Sequence, residues 1–194
     1  FKGAENANIR IGDTVVVFAQ GPIGLCATAG ARLLGATTII AVDGNDHRLG
    51  IAQKMGADVT LNFKNCDVID EIMKITGGRG ADSAIEALGT QATFESALRS
   101  IKPGGTLSSL GVYSEDLKIP LSAFAAGLGD HKINTALCPG GKERMRRLMN
   151  VLASNRLDLG LLVTHQYKLD DIVAAYDLFA HQRDGVLKVA IKPQ

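Results

Sequence analysis

A short glycine-containing turn near the start of the chain could bind a phosphate group. Residues 19–24 read AQGPIG and directly follow an apolar run rich in β-branched residues. A dinucleotide-binding turn must bend tightly, approach a pyrophosphate closely and let its helix pack against the preceding strand. Gly21 can allow the close approach and Gly24 the packing, while the helix N-terminus offers unpaired N–H groups to the phosphates. The pattern predicts a phosphate-binding turn, with a plain strand–helix turn as the alternative.

One position departs from the usual G-x-G-x-x-G pattern of such turns. Ala19 stands where the first glycine would be. A methyl group is tolerable there if the residue keeps a negative φ, because L residues rarely adopt positive φ. The turn taken alone is therefore weaker evidence for a dinucleotide site than the full pattern would be.

An acidic residue ends the next apolar run. Asp43 lies 22 residues after Gly21. A dinucleotide fold places an acid at about this separation, where it accepts hydrogen bonds from the hydroxyls of the adenosine ribose. The alternative is that Asp43 caps a helix beginning near Asp46. The turn, the strand and the acid together favour a nucleotide site.

The same acid predicts which cofactor binds. NADP carries a phosphate on the ribose 2′-oxygen, and two like charges about 4 Å apart cost about 1 kcal/mol in water and about 4 kcal/mol at an effective dielectric of 20. Since about 1.4 kcal/mol is tenfold in affinity, Asp43 should disfavour NADP by at least about tenfold. Arg48 acts in the opposite direction if it pairs with a 2′-phosphate, but it could equally bind an unphosphorylated ribose or solvent. We expect NAD.

The elements that must position these residues alternate along the chain. Strands are predicted at 14–19, 37–43, 58–62, 81–86, 106–111 and 132–137, and helices at 24–34, 46–55, 68–75 and 92–101, with a break at 102–105. Strands separated by helices about ten residues long are typical of right-handed βαβ units. The pattern predicts an α/β fold, a doubly wound parallel sheet of the Rossmann type.

The pattern changes near residue 138, so we predict a Rossmann domain over 1–138 and a C-terminal segment over 139–194. Within that segment we expect a helix at 142–154 and strands at 161–167 and 186–191 around a helix at 170–180. No linker rich in Pro, Gly or Ser separates the two parts, so the segment should pack on the sheet or on something outside this chain. Because the chain opens at Phe1, we expect that it was processed or belongs to a longer polypeptide.

Composition excludes several classes of protein. Lys+Arg number 21 and Asp+Glu 20, and this balance argues against nucleic acid or an acidic membrane surface as the main partner. An apolar content of 46% excludes a disordered chain, and no apolar run approaches the ~20 residues that a membrane span needs. Cys26, Cys66 and Cys138 form neither a disulfide framework nor a C-x-x-C pair, which favours a reducing, cytoplasmic location.

The order of several short segments resembles a known family. The turn at 19–24, Asp43, the segments TGGRGAD at 76–82 and EALG at 86–89, and KPGG at 102–105 resemble the coenzyme-binding part of medium-chain zinc-dependent alcohol dehydrogenases. LCPGG at 137–141 is similar to the branch of secondary alcohol dehydrogenases, which act on small alcohols and ketones. The resemblance covers nearly the whole chain. Asp43 departs from the NADP-using members of that branch, which have a small residue there.

The resemblance implies roles for matching positions. Gly21, Pro22 and Ile23 would face the pyrophosphate, and Asp43 and Arg48 would hold the adenosine ribose. The positions implied beside the rest of the cofactor are Ala87 and Leu88 after the fourth strand, Leu110, Gly111, Val112, Leu137 and Cys138 at the nicotinamide, and Lys188 near the pyrophosphate. A solvated lysine is an equal alternative for Lys188.

The resemblance also implies chemistry that lies outside these residues. In the family a zinc ion polarises the alcohol oxygen for hydride transfer to the nicotinamide, and the Cys and His ligands belong to the first half of the enzyme. The four histidines and three cysteines here lack spacing for a three-ligand site, so we assign this chain no metal ligand and no catalytic residue. We expect the chain alone to be inactive.

Two other functions remain open at this point: a stand-alone NAD(H)-sensing Rossmann module, and a zinc-free, quinone-reductase-like relative. In the resembling family two coenzyme domains form one continuous sheet across a two-fold axis. The segment 117–121 could be the exposed sheet edge for that contact. We therefore expect a homodimer or tetramer, with a small alcohol, aldehyde or ketone as substrate.

Overall fold

The protein forms two compact units in a computed structural model that describes residues 1–124 and 129–193. The first unit is Phe1–Pro139, and the second begins at Gly140. Among the helices of these described residues, none has the length and apolar character that crossing a bilayer requires.

The first unit is built around a sheet of six parallel strands. In chain order its elements are α1 (Lys2–Asn6), β1 (Thr14–Phe18), α2 (Pro22–Leu34), β2 (Thr38–Asp43), α3 (Asp46–Lys54), β3 (Val59–Asn62), α4 (Val68–Ile75), β4 (Ala81–Glu86), α5 (Gln91–Arg99), β5 (Ile101–Ser109), a 3₁₀ turn (Leu121–Ala123) and β6 (Lys132–Thr135).

The strand order is β3-β2-β1-β4-β5-β6, with every neighbouring pair parallel. The connections therefore run outward in both directions from β1 and β4. This doubly wound order places the switch point between those two strands, where open α/β sheets bind their ligands at the carboxyl ends. The predicted fold class is confirmed.

The central strand β1 does not alternate between apolar and polar residues along its length. Val15, Val16 and Val17 of β1 are all completely buried, so both faces of the sheet are covered. On one face Val16 and Phe18 belong to a cluster that includes Ile72 of α4 and Phe94, Ala97 and Leu98 of α5. The carboxyl ends of the central strands therefore project from a core that covers both faces of the sheet.

Residues 102–105 were predicted to break the chain between a helix and a strand, and this prediction is wrong. They lie inside β5, which begins at Ile101. Ala81 pairs with Ile101, but Ser83 already pairs with Thr106, so extra residues of β5 are accommodated as a bulge. Gly104 has a φ of 74°, which allows the bulge.

The segment 117–121 is not a sheet edge. The Gln91 side chain donates to the Lys118 carbonyl oxygen at 2.7 Å and accepts from the Lys118 N–H at 2.9 Å. Arg99 donates to the carbonyl oxygen of Ser122 at 2.9 Å. These contacts bind the segment to α5, and the edge strand at this end of the sheet is β6.

A short N-terminal helix, α1, was not predicted from the sequence. Ala4 is completely buried, and a side chain at Gly30 of α2 would meet the Ala4 Cβ at 3.0 Å. The five residues of α1 are too few to show a periodic pattern in the sequence, so the helix is recognised only from its packing in the structure.

The second unit has a two-stranded parallel sheet of β7 (Val163–Lys168) and β8 (Lys188–Lys192). Its helices are α6 (Lys142–Ala153) and α7 (Ile172–Ala180), with short 3₁₀ turns at Leu159–Leu162 and Leu169–Asp171. The predicted elements are all present, with bounds that differ by a few residues.

At the amino ends of the strands, Asp82 joins β4 to β1 and β5. Its carboxylate accepts the Thr14 N–H at 2.8 Å and pairs with Lys102. Burial alone would raise the pKa of Asp82, but the hydrogen bonds from Lys102 and Thr14 outweigh it and hold the pKa below its usual value. The ionised carboxylate therefore stabilises the fold.

We predict that Asp82→Asn lowers the free energy of unfolding by about 1 kcal/mol at pH 7, because the charged bond to Lys102 is lost from a partly exposed position. Because the pKa of Asp82 is lower in the folded than in the unfolded chain, its contribution is present above about pH 5 and is lost as the pH falls through the lowered value. Chemical denaturation of the unchanged chain and of Asp82→Asn should give free energies of unfolding whose difference becomes smaller in acid. A difference independent of pH would contradict this role.

Candidate dinucleotide-binding site

The turn after β1 contains a residue with a left-handed backbone conformation. Ala19 has a φ of 70°, so the condition of a negative φ is not met. The chain must reverse here between β1 and α2, and a left-handed residue makes that reversal at a cost of about 1 kcal/mol for alanine. The Ala19 N–H donates to the Val42 carbonyl oxygen at 2.9 Å, which ties the strained residue to β2.

The two glycines of the turn have different surroundings. A Cβ at Gly24 would overlap the Ala19 carbonyl oxygen and lie 3.7 Å from the Ala87 Cβ, so only glycine lets α2 start this close to the strands. A Cβ at Gly21 would meet nothing within 4 Å. Gly21 therefore leaves the space in front of the helix open.

The start of α2 lacks a side-chain cap. Asn45, Asp67 and Thr90 cap α3, α4 and α5 with side-chain oxygens that accept backbone N–H groups. The N-cap of α2 is Gly21, and Pro22 occupies its first turn. The N–H groups of the first turn thus face the open space without a side-chain acceptor, as a bound phosphate requires.

Asp43 holds the turn from the neighbouring strand. Its Oδ2 accepts the Gln20 N–H at 2.6 Å and its Oδ1 accepts the Asn45 N–H at 2.9 Å. Asp43 is not the cap of α3, because Asn45 accepts from the N–H groups of His47 and Arg48. Each carboxylate oxygen can accept a further hydrogen bond, so Asp43 can also bind the hydroxyls of a ribose.

Gln20 was overlooked in the sequence and is completely buried. Its side chain donates to the Val17 carbonyl oxygen at 2.8 Å and accepts from the Thr28 hydroxyl at 3.0 Å. The residue therefore fastens the turn to both β1 and α2. The sequence does carry a signal for this role, because Gln20 is a polar residue placed between a buried strand and a glycine.

Most of the other predicted positions follow the carboxyl ends of β4, β5 and β6, and two lie elsewhere. Ala87 and Leu88 follow β4, Leu110, Gly111 and Val112 follow β5, and Leu137 and Cys138 come after β6. Leu88, Val112 and Leu137 are 57%, 81% and 84% exposed, so this edge presents apolar side chains to solvent, as does Ile23 at the start of α2. Arg48 is half-buried in α3, and Lys188 is exposed at the start of β8 in the second unit.

A second buried carboxylate at this edge was also overlooked. Glu86 ends β4 and is completely buried. Its Oε1 accepts the N–H groups of Leu88 and Gly89 at 2.8 and 2.7 Å and the Thr93 hydroxyl at 2.8 Å. Its Oε2 accepts the Tyr113 hydroxyl at 2.7 Å. An acid at the end of a strand beside β1, as Asp43 is, could have been recognised from its position.

The Tyr113 hydroxyl remains a donor to this carboxylate. Burial raises the pKa of Tyr113 above its ordinary value, with the hydrogen bond from Ser109 opposing the change and the Glu86 carboxylate adding to it. The Ser109 hydroxyl lies 2.6 Å from the Tyr113 oxygen. We call Glu86, Thr93, Ser109 and Tyr113 the Glu86 cluster.

Residues 1–124 and 129–193 contain no group of three or more His, Cys, Asp or Glu side chains arranged to hold a metal ion. The described residues therefore do not fit a zinc ion, and no chemical step is assigned to one in this chain.

We predict that Gly24→Ala lowers the free energy of unfolding by at least about 2 kcal/mol, because the new methyl group overlaps the Ala19 carbonyl oxygen. Gly50→Ala is a matched control in α3, where a Cβ meets nothing within 4 Å, and it should raise stability by about 0.5–1 kcal/mol. Thermal or chemical denaturation measures both. Equal effects of the two substitutions would contradict the close approach at Gly24.

Comparison with known proteins identifies relatives over the full chain. The sequence model described as "Zinc-binding dehydrogenase" matches residues 22–154. An alcohol dehydrogenase of Cupriavidus necator is 86% identical over 193 residues, which are 100% of this chain and 53% of the relative. An NADP-dependent isopropanol dehydrogenase of Entamoeba histolytica is 37% identical and covers 99% of this chain and 53% of its own length.

The fold comparison agrees. The alcohol dehydrogenase TADH from Thermus sp. ATN1 superposes with a TM-score of 0.88 at 31% identity, over 99% of this chain and 54% of that one. The chain thus spans about half the length of the relatives it matches. The resemblance drawn from its motifs is confirmed, and the chain belongs to the zinc-binding dehydrogenase family.

Proposed function

We propose that this chain is the coenzyme-binding part of an NAD-dependent, zinc-type alcohol dehydrogenase that transfers a hydride between a small primary or secondary alcohol and nicotinamide. The observation that carries the proposal is the 2.6 Å hydrogen bond from Gln20 N–H to Asp43, which joins a ribose-binding acid to a phosphate-binding turn. The names of the relatives, alcohol dehydrogenase and isopropanol dehydrogenase, support the reaction class.

In this proposal the residues of the chain bind and orient the cofactor. The N–H groups at Ile23 and Gly24 receive the pyrophosphate, and Asp43 and Arg48 hold the adenosine ribose. The exposed apolar side chains at the carboxyl ends of β4, β5 and β6 cover the nicotinamide half and exclude water. The nicotinamide supplies hydride chemistry when bound.

The choice of NAD rests on the charge of Asp43. Several relatives at 37% identity are named NADP-dependent isopropanol dehydrogenases. Both oxygens of Asp43 accept backbone N–H groups, so the carboxylate is held in place beside the turn. A 2′-phosphate on the ribose that it binds would meet this negative charge, and repulsion favours the unphosphorylated cofactor.

The second unit favours an enzyme part over a stand-alone NAD(H)-sensing module. Val173, Tyr176 and Phe179 of α7 are 78%, 70% and 51% exposed, and Met145 and Met149 of α6 are also exposed. An independent module should bury such side chains, whereas a part of a larger protein leaves them for another domain. We propose that this segment completes a catalytic domain whose zinc ligands lie outside this chain.

The zinc-free, quinone-reductase-like alternative differs only in that outside domain. Zinc-ligating Cys and His in the remainder of the protein would favour the dehydrogenase, and their replacement by other residues would favour the reductase. No described residue of this chain separates the two.

Assembly and location are further parts of the proposal. Within residues 1–124 and 129–193, β6 has a hydrogen-bonded neighbour on one side only, and Lys132, Asn134 and Thr135 along it are exposed. An unpaired edge of this kind can join a second copy across a two-fold axis, so we propose a homodimer or tetramer through β6. Cys26, Cys66 and Cys138 form no disulfide bond, and we propose a reducing, cytoplasmic location, where cysteines stay reduced.

We expect the 194-residue chain to bind NADH and to show no alcohol dehydrogenase turnover, because it binds the cofactor but does not activate the alcohol. Titration of NADH fluorescence and an NAD-linked assay with 2-propanol measure the two properties. A chain that binds neither NADH nor NADPH would contradict the proposal, and turnover by the chain alone would contradict the placement of the zinc site outside it.

We predict that Asp43→Ser narrows the preference for NADH over NADPH by at least about tenfold, because the repulsion of the 2′-phosphate is removed. Fluorescence titrations with both cofactors give the ratio of dissociation constants. Asp13→Ser is the matched control, since Asp13 directly precedes β1 at the opposite end of the sheet. An unchanged ratio in Asp43→Ser, or an equal change in the control, would remove Asp43 from the site.

A further inference from the structure

The Glu86 cluster joins three elements of the sheet's carboxyl edge. Glu86 ends β4, Ser109 ends β5, and Thr93 lies in the first turn of α5. The carboxylate accepts hydrogen bonds from the Thr93 hydroxyl and from the hydroxyl of Tyr113, which follows β5. The Ser109 hydroxyl lies 3.4 Å from Oε2 and 2.6 Å from the Tyr113 oxygen. A buried carboxylate is costly unless each oxygen is satisfied, and here both are. The hydrogen bonds therefore compensate for the burial of the Glu86 carboxylate and fix its position.

The contacts fix backbone as well as side chains. Oε1 accepts the N–H groups of Leu88 and Gly89 and so determines the path of the loop after β4. A Cβ at Gly111 would overlap Gly89 and lie 2.6 Å from Glu86 Oε2, so the loop after β5 lies directly against the loop after β4. Both loops are thereby held in one position relative to each other.

These loops belong to one half of the sheet. In a doubly wound fold the strands on either side of the switch point form two mononucleotide-binding halves. The phosphate turn and Asp43 belong to the half made by β1, β2 and β3. The loops held by Glu86 belong to the half made by β4, β5 and β6, which binds the nicotinamide nucleotide if the first half binds adenosine.

We propose that Glu86 is a positioning residue for the nicotinamide half of the cofactor, acting through the loops after β4 and β5. The inference rests on the proposed function. Glu86 contacts no reacting atom in this role. Its carboxylate oxygens hold Leu88, Gly89 and Gly111 in the arrangement that the nicotinamide nucleotide meets, while the adenosine half is held by other residues.

The test compares NADH with ADP-ribose, which lacks the nicotinamide, by calorimetric titration of the 194-residue chain. Glu86→Met keeps the side-chain volume but removes both acceptor oxygens. We expect it to weaken NADH binding at least about tenfold, which is about 1.4 kcal/mol, and ADP-ribose binding by less than about twofold. A general loss of structure would weaken both ligands together.

Glu86→Gln tests the mechanism, because its amide oxygen still accepts the N–H groups of Leu88 and Gly89. It should restore NADH affinity to within about threefold of the unchanged chain. Asp82→Asn is the matched control, since it removes a structural carboxylate from the opposite end of the same strand and should leave the ratio of the two affinities unchanged. A tenfold loss in Glu86→Gln would overturn the acceptor role.

If Glu86→Met does not fold, Tyr113→Phe decides, because it removes one hydrogen bond to Glu86 at the part-buried hydroxyl. We expect NADH binding to weaken about threefold with ADP-ribose unaffected. NADH binding that is unchanged in Glu86→Met and in Tyr113→Phe, or that falls in step with ADP-ribose binding in them, overturns the inference. An unchanged chain that binds neither ligand instead rejects the proposed function itself.

Discussion

The candidate site depends on one hydrogen bond between the ends of two neighbouring strands. The Gln20 N–H, at the start of the glycine turn, donates to the Asp43 carboxylate at the end of β2. It forms because Phe18 of β1 lies beside Val42 of β2 in the parallel register, which brings the ends of the two strands level. The same register supports the left-handed Ala19, whose N–H reaches the Val42 carbonyl oxygen. A shift of the register by one residue would separate the acid from the turn and leave Ala19 without this support.

The fold was largely predictable because its signals are local and repeated. Continuous apolar runs identified β1 and β2 as buried parallel strands, and Gly35 marked the end of α2 with a φ of 100°. The errors arose where tertiary contacts override local patterns. The glycines at 104 and 105 lie in a strand because a bulge against β4 absorbs them. The segment at 117–121 is not an edge strand, because the Gln91 amide takes both backbone groups of Lys118.

The residues of the candidate site were predictable only in part, for a different reason. Asp43 and the glycines have fixed spacing along the chain, so a pattern can find them. Gln20 and Glu86 act through burial, and their importance appears only when the partners of each polar atom are known. The positive φ of Ala19 also lay beyond the pattern, because the turn imposes it against the preference of the residue. Strand-end acids on both neighbours of the central strand are the more general signal.

The two buried carboxylates divide the edge of the sheet between them. Asp43 secures the turn on one side of the switch point, and the Glu86 cluster secures two loops on the other. The backbone at this edge is thus held by hydrogen bonds within the chain itself. The conformational entropy of these loops is therefore lost when the chain folds and not when a ligand binds. Under the proposed function, a dinucleotide would bind to loops that are already held in place, so its binding would not require these loops to rearrange.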